Sequence, residues 1–247
     1  MAEIVATGGV AEQRRAQPSA DHHPNFRGLV GEAGWAALPL AVRARFIDQP
    51  ARTYAGGMTV RASPAGFLFA QLCRLIGTPL APWRGEKVGV EVHVWNRPDG
   101  ALVWDRLYRF EGRKPVKVGS CKKADHRGLV EVVRGGLGMA LDVSVEDGAL
   151  HFRSRGYFWE ILGLRLPLPE LLTPGAAHVF HRDEGQGRFT FGLSFVHPWL
   201  GETFWQEGVF SDPQVEPPLI AYARAARRTG GPIPGPSGPG FRPGPPP

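Results

Sequence analysis

The sequence predicts a mainly β protein of the α+β kind. Its antiparallel sheet of about eight to ten strands is strongly curved or closed into a barrel-like form, and two or three N-terminal helices cover one end or face. Three observations predict it. The clearest helical spacing falls in the first third of the chain. From Glu86 onward apolar residues recur with period two, and turn chemistry punctuates that alternation at Arg97–Gly100, Asp147–Gly148 and Pro198–Gly201.

The chain has 247 residues, a net charge of +6 and a pI near 9.7. Residues 1–24 read as a flexible arm, 25–228 as one globular β-rich domain, and 229–247, almost entirely Gly and Pro, as a disordered tail. Bases and acids interleave, as in HFRSRGYFWE, so the charge reads as a solvated basic surface and not as a nucleic-acid stripe. No apolar run approaches the roughly 20 residues of a membrane span, and Ile4–Val10 lacks the basic flank of a signal peptide. Two cysteines, Cys73 and Cys121, make no disulfide framework, which points to a reducing, cytoplasmic setting.

Taken in order, Leu29, Val30, Trp35, Leu38, Val42 and Phe46 fall at helical spacing. Gly31 and Gly34 break the run, and Pro39 opens a second short helix. Arg52–Arg61 reads as a strand bent at Gly56–Gly57. A third helix is capped by Ser63, begins at Pro64 and ends at Gly77. Phe67, Leu68, Leu72, Leu75 and Ile76 form its apolar stripe, and Cys73 inside it reads as a packed thiol.

In EKVGVEVHVWN the valines 88, 90, 92 and 94 share a face. Two registers join this strand to LVWDRLYRFE. Burial favours the one that sets Val94 opposite Trp104 and Val90 opposite Tyr108. The same register puts Arg106 opposite Val92 on the apolar face, where an arginine is costly unless it meets a ligand or an internal carboxylate such as Glu131. KPVKVGSCKK is a further strand. The GGLG run (Gly135–Gly138) lacks the following helix of a phosphate loop and reads as a bend. Across the Asp147–Gly148 turn, Val145, Val143 and Leu141 oppose Leu150, Phe152 and Ser154 on a core face. Asp142 opposes Arg153 on a charged one. Tyr157–Gly175 reads as a strand and a short helical turn with the character of a lid or plug.

His178, His181 and Asp183 fail as a metal set because His178 points opposite to the other two, so neither metal nor cofactor is expected. In the last hairpin, placing His197 opposite Glu202 pairs Phe195 with Phe204, Leu193 with Gln206 and Phe189 with Phe210. His197, Glu202 and Gln206 then interrupt the most aromatic face. The first two either bracket a wet turn or form an acid–base pair.

The segments WDRLYRF, LVEVVRGGLGM, LRLPLPELLTPG and FVHPWLGETFWQEGVF together resemble the bacterial domain-of-unknown-function family DUF4166, over about Phe26 to Asp212. Members also occur fused to saccharopine-dehydrogenase-like or other Rossmann-type oxidoreductases. The resemblance therefore implies an oxidoreductase-linked context, with such an enzyme as a partner, and assigns no catalytic residue. From the residues themselves, the leading expectation is an apolar pocket for an amphipathic, acidic small molecule, lined by Arg106, Gln206, His197, Tyr108 and Trp104. The alternatives are an isomerase- or hydrolase-type enzyme using His197 and Glu202, and a structural partner of a separate oxidoreductase.

Overall fold

The structure is a computed structural model that describes residues 22–47, 51–76 and 80–213; the expected N-terminal arm (but for its last three residues) and Gly/Pro tail lie outside the described residues. Two helices come first, α1 (Phe26–Ala37) and α2 (Leu40–Phe46), then β1 (Arg52–Ala62) and α3 (Pro64–Cys73). Ten strands follow: β2 (Gly85–Asn96), β3 (Leu102–Arg109), β4 (Val116–Asp125), β5 (Gly128–Val133), β6 (Leu137–Glu146), β7 (Ala149–Ile161), β8 (Leu164–Leu168), β9 (Ala176–Gly185), β10 (Arg188–His197) and β11 (Gly201–Ser211).

The sheet runs β6-β5-β4-β3-β2-β1-β11-β10-β9-β7, and the β6–β7 pairing closes it into a ten-stranded antiparallel barrel. β8 pairs with β7 alone, beyond the point where β9 leaves it. Closure follows from alternation carried all the way round. One face of each of the ten barrel strands is turned inward, as Val88, Val90, Val92 and Val94 on β2 and Phe189, Phe191 and Phe195 on β10 show, so the barrel itself has no open edge and only β8 stands outside it. The registers argued for β2–β3 (Val94↔Trp104, Val92↔Arg106, Val90↔Tyr108) and for the Asp147–Gly148 hairpin (Val145↔Leu150, Val143↔Phe152) are those observed. The first two glycines of GGLG lie in the β5–β6 turn and its last two residues open β6. Gly136 has φ 84°, and a Cβ there would lie 2.3 Å from the Glu160 carbonyl oxygen.

The two ends of the barrel are sealed differently. At the start of β1, α1 and α2 plug the interior. Phe46 packs within 4.9–6.0 Å (ring centroids) of Phe26, Trp104, Phe152 and His181, a burial that contributes roughly 1.5–3 kcal/mol. At the end of β1, α3 lies across the opening. Ser63 accepts from the Gly66 N–H at its N-terminus, and the Ser63 N–H donates to the Thr203 carbonyl of β11.

α3 departs from the rule that an apolar stripe faces the core. Its buried face is not the leucine stripe but the small residues Gly66, Ala70 and Cys73, while Leu68, Leu72 and Leu75 are 60%, 54% and 85% exposed. The reason is steric. A Cβ on Gly66 would sit 1.7 Å from the Thr203 carbonyl oxygen, so the helix approaches β11 closely only through its small side. Two smaller corrections concern β1, which runs unbroken through Gly56–Gly57 with its register shift after Met58, and Asp142. Asp142 stands opposite Arg153 but pairs with Arg155 at 3.2 Å, while Arg153 pairs with Glu146 at 2.6 Å.

Candidate functional site

Inward-facing positions of β3, β4, β5 and β11 bring polar groups together near the middle of the barrel. Alternation places Trp104, Arg106 and Tyr108 inside from β3, Ser120 and Lys122 from β4, Glu131 from β5 and Gln206 from β11. Between them and α3 lies a cavity of about 80 Å³, lined by Arg106, Tyr108, Ser120, Lys122, Glu131, Tyr157 and Gln206 and walled by Phe191, Leu193, Phe195 and Phe204. It reaches Cys73, Leu80, Ala81 and Pro174 at the α3 end. At about 15 Å³ or less per water, it has room for a few waters or a group of a few heavy atoms.

The polar set is only partly self-satisfied. Lys122 Nζ lies 3.0 Å from Glu131 Oε2, and Tyr108 Oη donates to Gln206 Oε1 at 3.0 Å. Arg106 donates from one nitrogen to Ser120 Oγ at 3.3 Å, a small use of five N–H donors, and its guanidinium carbon lies 5.7 Å and 6.0 Å from the Phe191 and Trp104 ring centres. Burial pushes the Glu131 carboxyl upward, but Lys122 and Arg106 outweigh it and hold it below the usual carboxylate range. Burial lowers the Lys122 ammonium, with Glu131 opposing. Glu131, expected as a partner for Arg106, is therefore engaged by Lys122. With two cations and one carboxylate, the lining carries one positive charge more than it neutralises.

Below Arg106, toward the α1–α2 plug, a void of about 10 Å³ is bordered by Trp104 and His181. Burial, helped by Lys122, Arg106 and Arg45, pulls His181 well below its ordinary pKa, so it is neutral, and its Nδ1 finds no partner among the described residues.

Arg106, Tyr108 and Gln206 line the cavity, whereas Trp104 borders the smaller void and not the cavity. His197 and Glu202 correct the sequence reading. A bulge after Phe195 sets Val196 opposite Glu202 and His197 opposite Gly201, so Glu202 is exposed while His197 is buried at the rim. His197 Nδ1 accepts from the Trp199 and Leu200 N–H groups at 3.2 and 3.3 Å, and its Nε2 faces the Leu171 carbonyl at 3.4 Å. Both ring nitrogens thus hold the backbone of two turns, and the pair offers no shared acid–base geometry. The hairpin's remaining pairs, Phe195↔Phe204, Leu193↔Gln206 and Phe189↔Phe210, are as read.

His178 turns outward and stacks on His151, with Nδ1 and Nε2 2.9 Å apart, while Asp183 binds Arg45. Lys122, Ser120 and Tyr157 escaped sequence reasoning. Both faces of KPVKVGSCKK carry polar residues, so only its pairing with β3, Arg106↔Val118 and Trp104↔Ser120, reveals which face is inside.

A family model described as "Domain of unknown function (DUF4166)" matches residues 38–210. No curated protein matches the chain.

Proposed function

Since the chain belongs to the DUF4166 family, whose description assigns no activity, we propose from its own chemistry that the barrel binds a small anionic group, the acidic head of an amphipathic molecule. The observation that carries the proposal is the unbalanced charge of the cavity: two cations, Arg106 and Lys122, face it against the single carboxylate of Glu131, which is ion-paired with Lys122. A buried guanidinium with idle donors costs free energy that a bound carboxylate or phosphate oxygen recovers through charge-assisted hydrogen bonds. Ser120, Tyr108 and Gln206 add neutral groups that fix orientation, and the Phe and Leu walls suit an apolar remainder. The size of the cavity limits the enclosed part to a few heavy atoms, with the rest of the molecule directed toward Cys73, Leu80 and Pro174.

Native mass spectrometry of the purified protein tests this reading. The expected result is a co-purifying acidic molecule, or micromolar affinity for a short-chain carboxylate, lost in Arg106→Met with the fold intact. An Arg106→Met protein that retains the ligand overturns it.

A further inference from the structure

α3 contains no charged residue in PAGFLFAQLC, and its inner face is already filled by Gly66, Ala70 and Cys73. Its outer leucines therefore cover nothing. Two other segments present apolar side chains beside it: the turn before β9, with Leu172 71% exposed, and the β10–β11 turn, with Trp199 76% and Leu200 51% exposed. These three segments are tied together through His197. Its ring bonds the backbone at Leu171, Trp199 and Leu200 and lies 6.3 Å from the Phe69 ring of α3. The tips are thus held in fixed relation around the end of the barrel that leads to the cavity.

Three arginines flank this patch. Arg74 sits between Leu72 and Leu75 and lies 5.7 Å from the Trp83 ring centre, Arg113 lies 3.9 Å from the same ring, and Arg84 lies 5.4 Å from Phe67. None of the three pairs with a carboxylate among the described residues, whereas the nearby surface arginines Arg61 and Arg109 do, with Glu86 and Glu91.

From this arrangement we propose that the α3 end of the barrel docks onto an anionic lipid surface. Leu68, Leu72, Leu75, Leu172, Trp199 and Leu200 enter the interface, and Arg74, Arg84 and Arg113 lie among the headgroups. Charge complementarity selects this occupant over a second copy of the chain. A two-fold self-contact would only repeat the excess of these three arginines over the exposed carboxylates of the same tips, Glu170 and Glu202, whereas anionic headgroups neutralise that excess. Separate exposed tips carrying leucine and tryptophan, with guanidiniums held near the Trp83 and Phe67 rings, also fit a surface that deforms around them. The proposal goes beyond the binding reading and does not depend on what occupies the cavity.

Flotation of the full chain with vesicles tests it, using phosphatidylcholine alone or with about one-third phosphatidylglycerol. The protein is expected to float with the anionic vesicles and not with the neutral ones, and to be released by high salt. Leu68→Glu/Trp199→Glu should abolish flotation. Arg74→Gln and Arg113→Gln should each weaken it about fivefold, the effect of roughly one interfacial charge. These positions are exposed, so an unchanged melting temperature certifies the fold of each variant. Arg106→Met should float like the wild type, which separates failure of this proposal from failure of the binding reading. Absence of flotation, or flotation indifferent to both the lipid charge and the Leu68/Trp199 change, overturns it. So does a concentration-dependent dimer that the same double substitution dissolves while vesicles are ignored.

Discussion

Two buried arginines share the same barrel, one at its α2 plug and one near its middle, and their polar partners differ sharply. Arg45, on the α2 plug, donates to both oxygens of Asp212 at 2.7 and 2.6 Å and to Asp183 at 3.1 Å, with its guanidinium carbon 4.4 Å from the centre of the Phe189 ring. Burial alone would lower its pKa, yet the two aspartates raise it. Arg106 has one serine hydroxyl and two ring faces, no ion pair among the described residues, and a place in the cavity lining. A guanidinium locked between two carboxylates closes an end of the barrel. One left under-satisfied beside a cavity is a recognition element waiting for an anion. The difference teaches that burial of charge does not by itself mark a site; the balance of partners does.

The sharpest way to test that contrast is to remove the carboxylate that holds the cavity side together. Glu131→Gln leaves Lys122 and Arg106 buried without a counter-charge and should destabilise the domain by about 3–5 kcal/mol in denaturant melts. A loss below about 1 kcal/mol would mean the two cations are already balanced by something else. Arg45→Met comes next. Its aspartates are partly solvated, at 18% and 29% side-chain exposure, so the loss should be smaller, about 2–3 kcal/mol.

The third prediction concerns pH. His181 is held neutral in the folded state, with a pKa well below 6.5. The unfolded chain takes up that proton as pH falls through about 6.5, so folding stability is full above that pH and is lost below it, at up to about 1.4 kcal/mol per pH unit. His181→Phe should flatten the fall of the melting temperature between about pH 6.5 and 5. It should not remove it entirely, because the stacked pair His151 and His178 is also shifted downward, mainly by burial. An unchanged slope in the variant would show that His181 is charged in the fold.

Arg106→Met should change stability by less than about 1 kcal/mol, or raise it slightly, because Glu131 keeps Lys122. A loss comparable to that of Arg45→Met would erase the contrast and show that Arg106 is as structural as Arg45. Glu202→Ala should alter neither stability nor ligand affinity, since the side chain is exposed and far from any role in the cavity.

Much of this molecule was legible in the residues alone. Period-two alternation from Glu86 onward determined the class of fold, the β2–β3 register and the inward direction of Arg106, because a one-residue slip would turn four valines to solvent. The Asp147–Gly148 turn likewise set its hairpin pair by pair.

Three things only the tertiary structure decided. Which face of β4 is inside, and hence that Lys122 takes Glu131 from Arg106, depends on a neighbour strand, because both faces of β4 carry polar residues. The bulge after Phe195, which parts His197 from Glu202, leaves no mark in the residue pattern: one extra residue in a strand looks the same until its partner is placed. And the outward turn of the α3 leucines was set by Thr203, more than a hundred residues away, whose carbonyl admits only a glycine beneath the helix. Alternation reports which residues share a face, and only packing against distant chain decides what that face meets.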